Sequence, residues 1–192
     1  MGNFRPSRTI LAGEETSRFT TATAAGAGFD GAAKVETKIQ KINGQIITTI
    51  LVDLEGLVVS GTVKDIIGED GAAAAFITKT ELANTGKIYK VEMACVEAPA
   101  GTNTTADIDL VVSTVSLAED ATYDSSGSSV VLIAAGGDYT GGMYKVSAVD
   151  TNINAASSVG GRFLYLANGS GANSGGTYTA GKFIITLFGA NF

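Results

Sequence analysis

From Lys34 onward, apolar and polar positions alternate in short runs, and each run ends in Gly, Asn, Asp or Ser. Alternation of this period is the mark of a strand with one buried face. The clearest case is "KVETKIQKINGQIITTILVDL", in which Asn43-Gly44 separates two such runs. Asn-Gly supplies the positive φ angles of a type I′ turn, so a β-hairpin is predicted here. Further strands are predicted over 73–79, 87–97, 107–115, 129–135, 142–149, 162–167 and 177–188. "VKDIIG" (Val63–Gly68) reads as one helical turn stopped by Gly68. No segment sustains ten residues of helical periodicity. The pattern predicts an all-β protein: an antiparallel β-sandwich, or a jelly-roll or Greek-key barrel, over residues 34–192. A faint echo supports paired halves. "KIYKV" at 87–91 matches "GMYKV" at 142–146, and at the same offset "DIDLV" (107–111) falls on "RFLYL" (162–166).

Residues 1–33 break the pattern. They hold Arg5, Arg8, Arg18, the Pro6 kink and the small-residue tract "TTATAAGAGFDGAA". With no persistent period, they are expected to form an extended N-terminal arm. Phe4, Arg5, Arg8, Ile10 and Leu11 are its candidate partner-binding residues.

Composition changes the picture in two ways. Charged residues are 17% of the chain and small neutral ones abound, with 25 Gly. Such a surface loses little hydration when it packs against protein. The net charge is −6, and the basic residues are scattered singly, which argues against nucleic acid as a partner. The longest apolar runs are interrupted by charge and too short to span a bilayer, so no membrane partner is expected. The N-terminus lacks the apolar stretch of a signal peptide, and the expectation is synthesis in a cytoplasm.

Candidate chemistry is sparse. The chain has no His, which removes Ser-His-Asp and Cys-His nucleophilic pairs and the commonest metal ligand together. Cys95, the only cysteine, lies in the apolar run "VEMACV" and reads as a buried small hydrophobe. The glycine-dense stretch Gly169–Gly176 lacks the Gly-Lys-Ser/Thr ending and following helix of a phosphate cradle. It reads instead as a long hairpin connection from "RFLYL" to the next strand. Asp107 and Asp109 fall on one face of a strand, with Ile108 and Leu110 on the other. The carboxylates fit a solvated strand face better than a catalytic or calcium-binding pair. Tyr123, Tyr139 and Tyr178, in or beside loops, are the candidates for a sugar-stacking platform, whereas Tyr89, Tyr144 and Tyr165 read as core or interface. No catalytic residue, metal ligand or cofactor is expected, and the chain does not read as an enzyme.

Three stretches together resemble small structural proteins of tailed bacteriophages, especially marine ones: "LVDLEGLVVSGTVKDIIG", "GKIYKVEMACVEAPAGTNTTADIDLVV" and "RFLYLANGSGANSGGTYTAGKFIITLFG". The likeness spans roughly residues 45–190. It implies a decoration, or cement, protein on the outer surface of an icosahedral capsid in the virion. Its implied partners are the major capsid protein and itself, as a homotrimer over local threefold positions. A receptor- or glycan-binding module on a fibre or tail shares the β content and is the alternative expectation.

Overall fold

The computed structural model describes residues 25–29, 34–126, 129–149, 161–169 and 175–190. The arm residues Phe4, Arg5, Arg8, Ile10 and Leu11 lie outside them. Among the described residues, ten strands form two antiparallel sheets stacked as a sandwich. The larger sheet has the order β1 (Val35–Ile42), β2 (Gln45–Asp53), β10 (Gly176–Ala190), β5 (Lys87–Gly101), β8 (Tyr144–Ala148), with β3 (Val58–Val59) also pairing β10. The smaller runs β4 (Thr78–Thr80), β9 (Arg162–Asn168), β6 (Ile108–Ser113), β7 (Ser129–Ile133).

The predicted hairpin is β1–β2. Asn43 and Gly44 both take positive φ, 49° and 78°, as the tight turn requires. Alternation then decides the core. Ile50 and Val52 of β2, Val91, Met93 and Cys95 of β5, and Phe183, Ile185 and Leu187 of β10 point inward from the larger sheet. They meet Ile108, Leu110 and Val112 of β6 and Leu164 and Leu166 of β9. Pro99 is tolerated in β5 because it lies beyond Ala94, where the pairing with β8 ends. At one side of the sandwich, residues 25–29 run beside 74–76, with Gly26 N–H donating to Phe76 O and Gly28 N–H to Ala74 O. Phe29 is buried in the main core.

A second, smaller core covers the outer face of the smaller sheet. Val111, Tyr165 and Ala167 from that face pack against Ile66, Ala75, Leu117 and Tyr123 of the overlying loops. β6 is therefore buried on both faces.

Several sequence expectations are corrected. "VKDIIG" is extended rather than helical. Asp65 bridges Thr122, Ile66 bridges Ala167 and Gly68 bridges Val58, while Lys64 takes φ 73°. Ile66 enters the second core and Ile67 the main one, an alternation that a helical turn would not give. The glycine-dense stretch is no hairpin, because β9 and β10 belong to different sheets and the connection crosses between layers. The strand expected over 73–79 shrinks to Thr78–Thr80, and Leu82–Thr85 forms a short helical turn (α1) that the sequence reading missed. The internal echo survives only as neighbours: β5 pairs β8 in one sheet and β6 pairs β9 in the other, without two four-strand halves.

Candidate interaction surface

The outer face of the larger sheet is the one sheet face that no described segment covers. Cross-strand register builds it row by row. Glu36, Leu51, Ile184, Ala94 and Tyr144 are successive partners across β1, β2, β10, β5 and β8. The next row is Lys38, Thr49, Thr186, Glu92 and Val146, and the next Gln40, Ile47, Phe188, Lys90 and Ala148. Leu51 and Ile184 are each 37% exposed, Val146 52% and Tyr144 53%. Ile47 and Phe188 are half-buried beside them. An antiparallel sheet with a solvated face normally carries polar side chains there; this one carries polar Thr49, Thr186 and Glu92 but also exposes Leu51, Ile184, Tyr144 and Val146.

Charges lie around this patch in pairs. Lys182 Nζ sits 2.6 Å from Glu97 and 3.5 Å from Asp53, joining the three adjacent strands, and Lys38 pairs with Glu36 at 3.1 Å. Lys90 contacts Glu92 and also lies over the Phe188 ring, 4.5 Å from its centroid. Hydrogen bonds donated by Lys90 and Tyr144 hold the Glu92 carboxyl below its usual pKa. Paired ions leave little net charge to oppose an approaching protein surface.

The other candidate residues are placed differently from expectation. Asp107 and Asp109 are not on a solvated face: both are buried, at 4% and 8% exposure. Asp109 Oδ1 accepts the N–H of Ala135 at 2.8 Å, and Asp107 Oδ1 that of Gly137 at 3.4 Å. They hold the loop after β7 to β6. Burial, with the Asp107 charge beside it, raises the Asp109 pKa against the opposing pull of the Ala135 N–H and Lys145. A Cβ at Gly169 would stand 2.4 Å from Asp107 Oδ1, so that position has no room for a side chain.

The tyrosines reverse their expected roles in part. Tyr139 and Tyr178 are each 1% exposed and Tyr123 is buried, so none offers a stacking platform. Tyr178 Oη donates to Thr105 O at 2.9 Å, and Tyr139 packs edge-on against Phe183. Burial raises the pKa of both. Tyr165 is core, as expected, with its hydroxyl donating to Val115 O and accepting from Leu117 N–H. Burial pushes its pKa up to about 12. Tyr89 and Tyr144 are the exposed pair.

Cys95 is buried, its thiol donating to Glu97 O at 3.3 Å, and burial raises its pKa. A thiol so placed is a poor nucleophile. The described residues contain no cluster of three or more His, Cys, Asp or Glu able to hold a metal ion. One acidic group stands out in the loops over the smaller sheet. Glu119, 8% exposed, has its pKa raised to about 7 by burial and by Asp120 and Asp70. Its Oε2 accepts the N–H of Gly71 at 3.3 Å.

The apolar face was present in the sequence of β2, where Ile47 and Leu51 occupy the positions that alternate with Ile46, Ile50 and Val52. The outward face of that strand is mixed, with Ile47 and Leu51 among Gln45, Thr49 and Asp53. No protein-family model matches this chain, no curated protein matches its sequence and no solved structure matches its fold.

Proposed function

We propose that this protein is a structural component of a phage virion that binds the outer surface of the icosahedral capsid and reinforces it. The observation that carries the reading is the uncovered apolar face of the larger sheet, centred on Leu51, Ile184, Tyr144 and Val146. The capsid and the coat protein as partner come from the resemblance of residues 45–190 to phage structural proteins.

Magnitudes favour a repetitive partner. Fully burying a Leu, Ile or Val side chain is worth about 1.5–3 kcal/mol, and these residues keep only a third to a half of their surface exposed. The four together then contribute roughly 3–4 kcal/mol of burial, and the entropy lost on association is to be subtracted from it, so one such contact is no tighter than about millimolar. A single such contact is weak. On a shell that repeats the same site at fixed spacing, linked copies bind jointly, and effective concentration raises the avidity.

The test is co-sedimentation of the purified protein with capsid shells that lack it. Saturable binding that is lost in Leu51→Lys/Ile184→Lys supports the reading. Absence of binding, or binding untouched by that double substitution, overturns it.

A further inference from the structure

The two sides of the sandwich are finished differently. On the β4 side, residues 25–29 lie along 74–76 and Phe29 fills the space between the sheets. On the opposite side, β7 and β8 are the last strands of their sheets, and no described segment pairs with the outer edge of either. A groove of about 330 Å³ separates them, lined by Leu132, Ile133, Ala134, Lys145, Val146 and Ser147.

The free edges are also unequal in charge. β1, the other end of the larger sheet, bears Glu36 and Lys38, with side chains 59% and 61% exposed. Charge on an edge strand is a usual guard against pairing with another chain. β8 reads Tyr-Lys-Val-Ser-Ala, and its outward side chains, Tyr144, Val146 and Ala148, are all uncharged. Cys95 N–H donates to Met143 O and Val149 N–H to Tyr89 O, which fixes the ladder. Residues 143, 145, 147 and 149 aim their backbone groups at β5. Tyr144, Val146 and Ala148 therefore aim theirs away from the sheet.

We propose that β8 pairs antiparallel with β8 of a second copy of this chain, about a dyad through Val146. In that register Val146 faces Val146, and Tyr144 faces Ala148, as hydrogen-bonded pairs on the apolar outer face. Lys145 faces Ser147, so the pairing sets no lysine against another. A dyad centred on Lys145 would instead place two ammonium groups opposite each other. Because β7 ends on the same side, one dyad brings the open edges of both sheets together, and the larger sheet continues from copy to copy. The patch around Leu51, Ile184 and Tyr144 then doubles in length. This inference does not depend on what the outer face binds.

Substitution at position 146 tests the dyad, since only there does a residue meet itself. Val146 is 52% exposed, so Val146→Lys and Val146→Glu are expected to fold, with thermal unfolding as the check. The wild-type mass by light scattering at roughly 100 µM should be twice the 19.5 kDa of the chain, within the association range of modest interfaces. Each variant alone should dissociate to monomer, weakening self-association about 100-fold. An equimolar mixture of the two should recover the dimer. A wild-type monomer or trimer, a Lys variant that stays dimeric, or a mixture that stays monomeric overturns the proposal.

Discussion

Replacing Glu119 with Gln should make the protein more stable in mild base and leave it nearly unchanged in mild acid. The carboxyl is buried against Gly71 and faces Asp120 and Asp70, which together raise its pKa from 4.5 to about 7. The sign follows from proton linkage. Below pH 4.5 the group is protonated folded or unfolded. Between there and about 7 the folded state holds a proton that the unfolded state has lost, and stability falls as pH rises. At roughly 1.36 kcal/mol per pH unit, the whole interval is worth at most about 3.4 kcal/mol. Asp70 and Asp120 are themselves exposed, so water screens their repulsion, and about 1–2 kcal/mol is the realistic loss. Gln keeps an oxygen for the Gly71 N–H and never ionises. Urea unfolding at pH 5, 6, 7 and 8 should show Glu119→Gln within about 0.3 kcal/mol of wild type at pH 5 and about 1–2 kcal/mol above it at pH 8. A stability difference that is the same at pH 5 and pH 8 would refute the argument.

Four further outcomes are expected. Gly189→Ala should cost about 3 kcal/mol or more, or prevent folding, because its Cβ would fall 1.7 Å from Thr85 O; thermal unfolding and yield of soluble protein report it. Asp109→Ala should destabilise by about 1–3 kcal/mol by stranding the Ala135 N–H, while Asp109→Asn, which keeps an acceptor, should cost far less; chemical denaturation separates the two. Leu51→Lys/Ile184→Lys should change stability by only about 0.5–1 kcal/mol, since both residues are partly exposed and face outward, yet should abolish shell binding in the sedimentation assay. Deleting residues 1–20 should also abolish shell binding if Phe4, Arg5, Arg8, Ile10 and Leu11 grip a neighbour; unchanged binding removes the arm from the interface.

The fold was legible where local chemistry and tertiary demand agree. Asn43-Gly44 forces a turn whatever surrounds it, and period-two alternation placed β5, β6, β9 and β10 within a few residues. Legibility failed where distant segments decide. Ile66 and Ile67 sit side by side in sequence but serve two different cores, and nothing local announces a second core. The glycine-dense connection gave its flexibility away but not its destination, since sheet membership depends on pairing with β2 and β5. Asp107 and Asp109 were put on one face by spacing alone. Their burial depends on a loop some 26 residues onward whose N–H groups need acceptors. For the candidate interaction face, the signal was Ile47 and Leu51 on the outward side of β2, and reading it requires knowing that no described segment covers that side.

The position of β10 bears on how the protein is made. This strand binds β2 on one flank and β5 on the other, so until synthesis has passed Ala190 the larger sheet is two unconnected pieces. A chain that lacks this strand loses the pairing that joins β1 and β2 to β5 and β8.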